Sequence, residues 1–474
     1  MNYSLFFEMR PEVCLLGIYL VIFMYDLIAE GKYRRLFHPL TCILTFVLVM
    51  LTLSDRSSFT LFGGMYESNA IIVLVKSVLA FGAFLVIMQA HRWLKNEDTH
   101  FKQGEFYILL LSTLVGMYFM ISARHFLLLF IGIELASLPL ACLVAFDKYR
   151  HNSAEAGVKY ILSSMFASAI MLYGISFLYG TTGTLYFEDM TEKMTGMPIQ
   201  IFALVMFFAG MGFKISLVPF HFWTADSYQG APTSVTAYLS VVSKGAAVFT
   251  LFIVLVKVFA PMIEQWHLII CLTVVASITV ANLMAINQHD LKRFMAFSSI
   301  SQAGYIMLAV IGGKATGMTS LVYYLIVYMA ANMAVFAIIE TIEWHIGTAV
   351  KRSNFNGLYQ SNPKLAFIMT LALFSLAGIP PFAGFFSKFF VFMNAFSAGA
   401  WLVVFIALVN TVISLYYYLL IVKAMYMKSA DTPISSIRLD PYTRISLAIC
   451  TVGILLLGIC SFIYSGIDSI AFGL

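Results

Sequence analysis

This sequence predicts an all-α integral membrane protein with about fourteen transmembrane helices, ten of them forming two inverted five-helix repeats. Three observations predict it: an extreme apolar composition, a regular succession of apolar runs of about twenty residues, and two interrupted runs that lie five spans apart.

Composition sets the class. The chain has 474 residues, 61% of them hydrophobic and 11% charged, and a mean hydropathy of +0.90. Soluble domains carry roughly 25% charged residues, and a soluble body this apolar would expose too much greasy surface to stay dispersed. The net charge of +5 is a small surplus for the length, so a nucleic-acid partner is excluded. The six cysteines, Cys14, Cys42, Cys142, Cys271, Cys450 and Cys460, all fall in apolar runs, with no zinc or iron–sulfur spacing. They read as small buried hydrophobes, which argues against redox chemistry in this chain. No cleavable signal peptide is expected, because Glu8 and Arg10 precede a run already long enough to span.

Candidate spans lie at approximately 11–29, 38–54, 70–90, 105–122, 125–146, 156–180, 200–223, 232–258, 265–285, 295–313, 318–341, 366–396, 399–427 and 445–470. The runs are continuous rather than alternating, which favours helices over a β-barrel. With the N-terminus outside, 17 of the 28 Lys and Arg residues fall in inner segments and six in outer ones, leaving five inside spans. The positive-inside rule therefore places both termini on the outer side. The organisation expected is an N-terminal three-helix segment (1–104), a first repeat of spans 4–8 (105–258), a second, inverted repeat of spans 9–13 (259–427), and a loop with the last span (428–474).

The informative residues are charges inside spans. A lysine at a helix centre costs about 2.5–3.5 kcal/mol on insertion scales, and such groups face the bundle interior or a hydrated path and mark ion or proton relays. Lys214, Lys244, Lys388 and Glu134 lie too deep to reach an interface. Lys76, near the outer start of its span, reads as a snorkelling side chain. Lys159 lies one turn after Glu155, so a simple i,i+4 pair and a transfer role both fit. Burial disfavours an ammonium and a nearby carboxylate favours it, so a lysine between the two can load and release a proton as its partner moves. Glu134 is the obvious partner. A metal site has no support: His221 and His289, the histidines near these spans, are not spaced as ligands.

Two spans are broken. In GMGFKISLVPFHFW, Pro219 removes a backbone donor and frees the carbonyl of Ile215; in LAGIPPFAGFFSKFF, Gly378, Pro380 and Pro381 interrupt the helix. Non-helical backbone at membrane depth is tolerated only where protein or a water-filled cavity surrounds it. Lys214 precedes the first break and Lys388 follows the second. Five is an odd number of spans, so the units around the breaks have opposite orientation, the pattern of an inverted-repeat transporter. Prolines that merely kink helices for packing would not predict a lysine at both. Between the units lie Ser298, Ser299, Ser301, Gln302 and Tyr305, then Tyr323, Tyr324 and Asn332. The serines read as packing residues. Gln302 and Tyr305, with His221, are candidates for a hydrated path.

Three segments, GFKISLVPFHFWTADSYQGAPTSVTAYLSVVSKGA, NLMAINQHDLKRFMAFSSISQAGY and AGIPPFAGFFSKFFVF, resemble the signature of the antiporter-like subunits of proton-pumping NADH:quinone oxidoreductase, respiratory complex I. The resemblance covers most of the chain and is densest over 125–395. The run Tyr228, Gly230, Ala231, Pro232, Thr233, the stretch at Lys244 and the lysine at the last broken helix are similar to the N branch rather than its M and L paralogues. The resemblance implies fourteen helices with inverted repeats at spans 4–8 and 9–13. It implies that Glu134 and Lys214 are the glutamate–lysine pair, Lys244 the central lysine, Lys388 the lysine of span 12, and Glu155 with Lys159 the charged pair opening span 6. It implies no cofactor in this chain, with FMN, iron–sulfur clusters and quinone in partner subunits. It further implies lateral partners of the M, L, J, K, A and H types in a bacterial inner membrane, with both termini periplasmic. Protons would then move through Lys214, Lys244 and Lys388, driven by quinone reduction elsewhere. Two related readings are a subunit of an Mrp-type Na⁺/H⁺ antiporter and of a ferredoxin- or deazaflavin-dependent complex. A scaffold whose buried charges only fix helix register is a reading of another class.

Overall fold

The computed structural model describes the chain except residues 1–6, 30, 56, 97, 148, 149, 430–433, 461 and 472–474. Arg56 and Lys148, which enter the count of charges by side, lie outside the described residues, as do both chain ends. The structure is almost entirely helical. The helices are α1 (Arg10–Ile28), α2 (Phe37–Ser54), α3 (Ala70–Ala90), α4 (Gln103–Ser122), α5 (Phe126–Val144), α6 (His151–Thr182), α7 (Phe187–Glu192), α8 (Pro198–Ile215), α9 (Phe222–Gly230) and α10 (Thr233–Tyr238). They continue with α11 (Lys244–Lys257), α12 (Ile263–Ile286), α13 (Leu291–Met307), α14 (Ala315–Ile346), α15 (Leu358–Ser361), α16 (Pro363–Ala377), α17 (Ala383–Ser397), α18 (Trp401–Met427), α19 (Pro441–Ile459) and α20 (Phe462–Ala471).

Among the described residues, 12 helical segments are long and apolar enough to cross a membrane. The expected tenth span is the 17-residue α13. The expected single span over 366–396 is two 15-residue helices, α16 and α17, separated by Gly378–Phe382. A hydropathy window averages across that gap, because Ile379 and Phe382 keep it apolar while Gly378 and two prolines break the hydrogen-bond ladder.

Helix ends follow local chemistry. Asn69 caps α3 by accepting from Ile72 N at 3.0 Å, and Asp290 caps α13 by accepting from Arg293 N at 2.9 Å. Gly183 and Gly347 end the two 32-residue helices α6 and α14 at φ 69° and 75°, a conformation only glycine adopts without cost. The link between α2 and α3 forms a short antiparallel hairpin. Its strands β1 (Phe59–Leu61) and β2 (Tyr66–Ser68) pair with Phe59 opposite Ser68 and Leu61 opposite Tyr66.

The chain divides into two compact units. The first comprises Met1–Lys214, Val242–His267 and Ile470–Leu474. In it α4 packs against α5 through two glycines. A Cβ on Gly132 would come within 2.6 Å of Met120 N, and one on Gly116 within 2.8 Å of Gly132 O. Such backbone approach between apolar helices needs small residues. The second unit comprises Ile215–Val241 and Leu268–Ser469. Its central element is α14, almost wholly buried and packed by α13, α16, α17 and α19. Large apolar residues on α1, α2, α6 and α18, such as Leu27, Ile43, Phe166 and Val412, are exposed, as expected of helices whose outer faces meet lipid or neighbouring subunits.

The cysteines correct the reading made from hydropathy. Cys42 and Cys450 are buried, Cys14, Cys271 and Cys460 are partly so, and Cys142 is exposed. An apolar run does not reveal which of its faces looks inward.

Candidate functional site

In the first unit, Lys214 sits in the last turn of α8 and is 9% exposed. Its Nζ donates to Ser137 Oγ and, at 2.9 Å, to Ser164 Oγ. Ser137 lies on α5 one turn after Glu134, and Ser164 lies on α6, so three helices converge on the ammonium. Glu134 acts electrostatically on both Lys214 and Tyr160. Its Oε1 is buried and accepts no hydrogen bond. The arrangement is a lysine on two hydroxyls with an under-satisfied carboxylate in range, which suits a group that exchanges a proton.

Lys244 begins α11 and is also buried. It follows a π-helical segment, Leu239–Ser243, a helical irregularity that recurs at functional sites. Lys159 and Glu155 form the expected i,i+4 pair at 2.7 Å on a face of α6 that is exposed in this chain. Between α8 and α9 the backbone leaves the helix after Ile215. Ser216 adopts φ 68°, a sparsely populated conformation for a side-chain-bearing residue. Val218 N donates to Ser277 Oγ at 2.9 Å, and the Val218–Pro219 peptide is cis. His221 follows, buried, with Nδ1 lacking a partner.

In the second unit, Lys388 sits on α17 and turns back onto the break. Its Nζ donates to Ala377 O, the last carbonyl of α16, at 3.0 Å. It also lies 4.7 Å from the centre of the Tyr305 ring, a favourable place for a cation. The C-terminal end of a helix carries unpaired carbonyls and a partial negative charge, so the break itself supplies the acceptor. Gly378 turns the chain at φ 86°. Gly384 lets α17 start close to α16, for a Cβ there would overlap the Ser375 carbonyl. A small cavity of about 10 Å³, room for about one water, lies beside Lys388, lined among others by Gln302, Tyr324, Tyr328 and Ser387.

The sequence-predicted polar residues join here. Gln302 Nε2 donates to Leu376 O at 3.1 Å and to Tyr418 OH at 3.3 Å, and Tyr324 OH donates to Gln302 Oε1. Tyr305 OH donates to Ala407 O at 3.4 Å and meets Thr411 Oγ1 at 3.3 Å. Two of the three serines, Ser298 and Ser299, are corrected from packing residues to members of this network. Ser298 pairs with Tyr418 at 2.5 Å, and Ser299 bridges Tyr328 at 3.1 Å and Tyr228 at 3.3 Å. Each hydroxyl found a tyrosine from a distant helix, which one-dimensional spacing does not report.

Sequence reasoning missed two groups. At the end of α14, Glu340 accepts from Ser234 Oγ at 2.6 Å, and Glu343 accepts from Thr233 Oγ1 and pairs with Lys292 Nζ at 3.3 Å. The available signal was a helical repeat of polar residues on α14, at 340, 332, 328 and 324. In the first unit, Lys76 does not snorkel. It is fully buried, with Nζ 2.5 Å from Glu12 Oε1 and donating to Tyr66 OH at 2.9 Å. The hairpin carrying Tyr66 covers the route that a snorkelling chain would take. Burial, and then the Glu12 carboxylate, push the Tyr66 phenol well above its ordinary range. Next to it Glu67 meets Arg124 at 2.5 Å. Burial raises the Glu67 carboxyl, but the hydrogen bond and charge of Arg124 outweigh it and hold the group below its ordinary value.

Among the described residues no group of three or more His, Cys, Asp or Glu is placed to hold a metal ion. The family description "NADH:quinone oxidoreductase/Mrp antiporter, TM" matches residues 123–414. The chain is 60% identical over 464 residues to NADH-quinone oxidoreductase subunit N of Phocaeicola vulgatus, covering 98% of both chains. Among solved structures it is similar to a chain of respiratory complex I from Thermus thermophilus with bound aureothin, at TM-score 0.81 and 30% identity, over 94% of this chain and 96% of that one. A chain of the Mrp complex from Dietzia shares the fold at TM-score 0.85 and 19% identity, over 99% and 97% of the two chains.

Proposed function

This chain belongs to the family of NADH:quinone oxidoreductase and Mrp antiporter membrane subunits, with subunit N among its near relatives, and we propose that it translocates protons within an assembled NADH:quinone oxidoreductase. It is a multi-pass membrane-arm subunit of that complex. The observation that carries the translocation reading is that buried lysines sit on built polar sites at helix interruptions: Lys214 on Ser137 and Ser164, and Lys388 on the open carbonyl of α16 beside a polar cavity. Charges held this deep are costly and mark ion paths.

In this reading Glu134 and Lys214 form the switchable pair. Lys244 is the central carrier, Lys388 the terminal one, and Gln302 and Tyr305 part of the hydrated route. His221 and the breaks at Pro219 and at Gly378, Pro380 and Pro381 line that route. Glu155 and Lys159 stand at one mouth. Movement of Glu134 relative to Lys214 changes how strongly the lysine holds its proton. Redox chemistry, with FMN, iron–sulfur clusters and quinone, belongs to partner subunits, and the neighbours are M-, L-, J-, K-, A- and H-type subunits. The chain sits in a bacterial inner membrane with both termini periplasmic. An Mrp-type antiporter is less supported, since the likeness to the Mrp chain is one of fold, at 19% identity.

The test is NADH-driven proton pumping in inverted membrane vesicles, comparing wild type with Lys244→Ala after confirming assembly on native gels. Electron transfer and pumping should fall together in the assembled variant. Wild-type pumping by that variant would remove the central lysine from the path.

A further inference from the structure

We propose that Glu340 of α14 is a proton-uptake residue. It takes protons at the end of the second unit where α10 and α13 begin and hands them along α14, by way of Asn332 and Tyr328, to the cavity beside Lys388. This role rests on the proposed function, and it adds an entry to the one at Glu155 and Lys159, which belongs to the first unit.

Two carboxylates stand one turn apart at this end, and they differ. Glu343 is committed to holding helices together. Thr233 of α10 donates to it, and Lys292 of α13 lies 3.3 Å from it while also donating to Ala231 O at 3.1 Å. Arg293, next along α13, is taken by Asp226 and Gln229. Glu340 lies one turn deeper and accepts from Ser234 Oγ at 2.6 Å, with the charges of Glu343 and Lys292 acting on it. The tie between α13 and α14 is complete without it. Glu340 stands about 9 Å from the end of α14 and is partly exposed in this chain, so water reaches it from that end.

The polar residues continue along α14. They recur every fourth residue, at Asn332, Tyr328 and Tyr324, and side chains four apart are neighbours on a helix. Asn332 Nδ2 donates to Ser240 Oγ at 2.6 Å, Tyr328 OH donates to Ser299 Oγ at 3.1 Å, and Tyr324 OH donates to Gln302. Tyr324 and Tyr328 line the cavity beside Lys388. The apolar member of the series is Phe336, buried between Asn332 and Glu340. About 12 Å of helix separates those two polar residues. A short file of waters crosses such a gap when it wets, and an aromatic ring keeps it dry otherwise.

Asn332 supplies the independent sign that water enters. It is wholly buried, yet its Oδ1 has no hydrogen-bond partner. A buried amide oxygen is ordinarily satisfied by protein or by an ordered water, and a water held there stands one turn from Tyr328. A tie between helices gives no reason for an open acceptor at this depth. Uptake forms an O–H bond on the Glu340 carboxylate as a hydronium on the aqueous side loses one. The carboxyl gives that proton to the water file and returns to carboxylate. The hydroxyls of Ser299 and Tyr328 each accept one proton and release another, and the lone pair of a deprotonated Lys388 takes up the last. No electrons move.

The test compares Glu340→Gln with Glu340→Asp in NADH-driven pumping by inverted vesicles, with assembly confirmed on native gels. Gln keeps the length and still accepts from Ser234 but carries no proton. Asp carries one but is too short to make the same bond. A carrier predicts pumping about tenfold lower or worse in Glu340→Gln, largely restored in Glu340→Asp. A structural tie predicts the reverse order. Wild-type pumping by Glu340→Gln, or Glu340→Asp pumping no better than Glu340→Gln, overturns the uptake role. Should Glu340→Gln fail to assemble, Asn332→Leu reads the same route. It keeps the volume, lies about three turns from Glu343, and should pump about tenfold less; wild-type pumping by it overturns the route along α14. Wild-type vesicles without NADH-driven pumping would instead overturn the proposed function, and this role with it.

Discussion

The close packing of α4 on α5 determines where Glu134 stands, and Gly132→Ala tests it. The added Cβ would lie 2.6 Å from Met120 N and 2.9 Å from Gly116 O. Ordinary contact begins near 3.4 Å, so the two helices must separate by about 0.8 Å. Both obstructing atoms are backbone, which cannot rotate aside. Overpacking of this kind costs about 1–3 kcal/mol, a factor of about 5 to 150 in the ratio of packed to opened helices. The same shift carries Glu134, two residues further along α5, out of register with Lys214. A displacement near 1 Å at a reacting group can cost about a hundredfold in rate. The control is Gly17→Ala on α1, where nothing lies within 4 Å of the new Cβ. The assay is heating of the detergent-solubilised complex, with retention of the subunit read on native gels, followed by NADH-driven pumping in vesicles. Gly132→Ala should lose the subunit at lower temperature and pump less than Gly17→Ala. If the two variants melt and pump alike, the claim that α4–α5 contact positions Glu134 is refuted.

Removing both hydroxyls from Lys214, by Ser137→Ala with Ser164→Ala, should leave an assembled complex that pumps more weakly than either single variant, measured in the same vesicles; equal pumping would show that Lys214 does not depend on them. Lys388→Met keeps the side-chain length and drops the charge, so pumping should fall about tenfold or more while NADH oxidation by an artificial electron acceptor continues. The Glu67–Arg124 pair holds the carboxyl below its ordinary value. Its stabilisation is therefore present above the unfolded value, about pH 4.3, and is lost as pH falls through the folded one. Glu67→Gln should raise protease sensitivity of the 59–68 hairpin at neutral pH, and the gap from wild type should close under acid.

Much of this arrangement was legible in one dimension because the bilayer makes polarity expensive. Lys214, Lys244 and Lys388 stood out as charges within apolar runs, and Pro219, Gly378, Pro380 and Pro381 as interruptions. The structure places Lys214 and Lys388 on partners near those breaks. Glu12 was not legible, because two residues inside a span is where an interfacial carboxylate is unremarked, and its partner lies 64 positions away. Only the closure of the β1–β2 hairpin makes Lys76 a buried ion rather than a snorkelling one. Ser298 and Ser299 were ambiguous for another reason. Serine serves close packing and hydrogen bonding equally well, and the choice depends on Tyr418, Tyr328 and Tyr228 from other helices. Glu340 and Glu343, at the end of the 318–341 run, went unremarked because their partners Ser234, Thr233 and Lys292 come from distant parts of the chain.

The two terminal lysine sites differ in a way that bears on mechanism. Lys214 rests on two hydroxyls, and a hydroxyl both donates and accepts. Ser137 and Ser164 can therefore accept from an ammonium or turn to donate to the lone pair of a neutral amine, so the site stays satisfied whichever form the lysine takes. Lys388 rests on a carbonyl, which only accepts. A neutral Lys388 can still donate one N–H to Ala377 O, but its lone pair needs a donor from elsewhere. The hydroxyl of Ser387 and the phenols of Tyr324 and Tyr328 line the cavity beside it, and they are the groups that can supply one. If protons pass through these lysines as proposed, loss of one at Lys388 is tied to rearrangement of that tyrosine network, whereas loss at Lys214 requires a hydroxyl to turn, either that of Ser164 or that of Ser137, which now donates to Ile133 O. In that route the more conditional step belongs to Lys388, because its partners must move before its lone pair is satisfied.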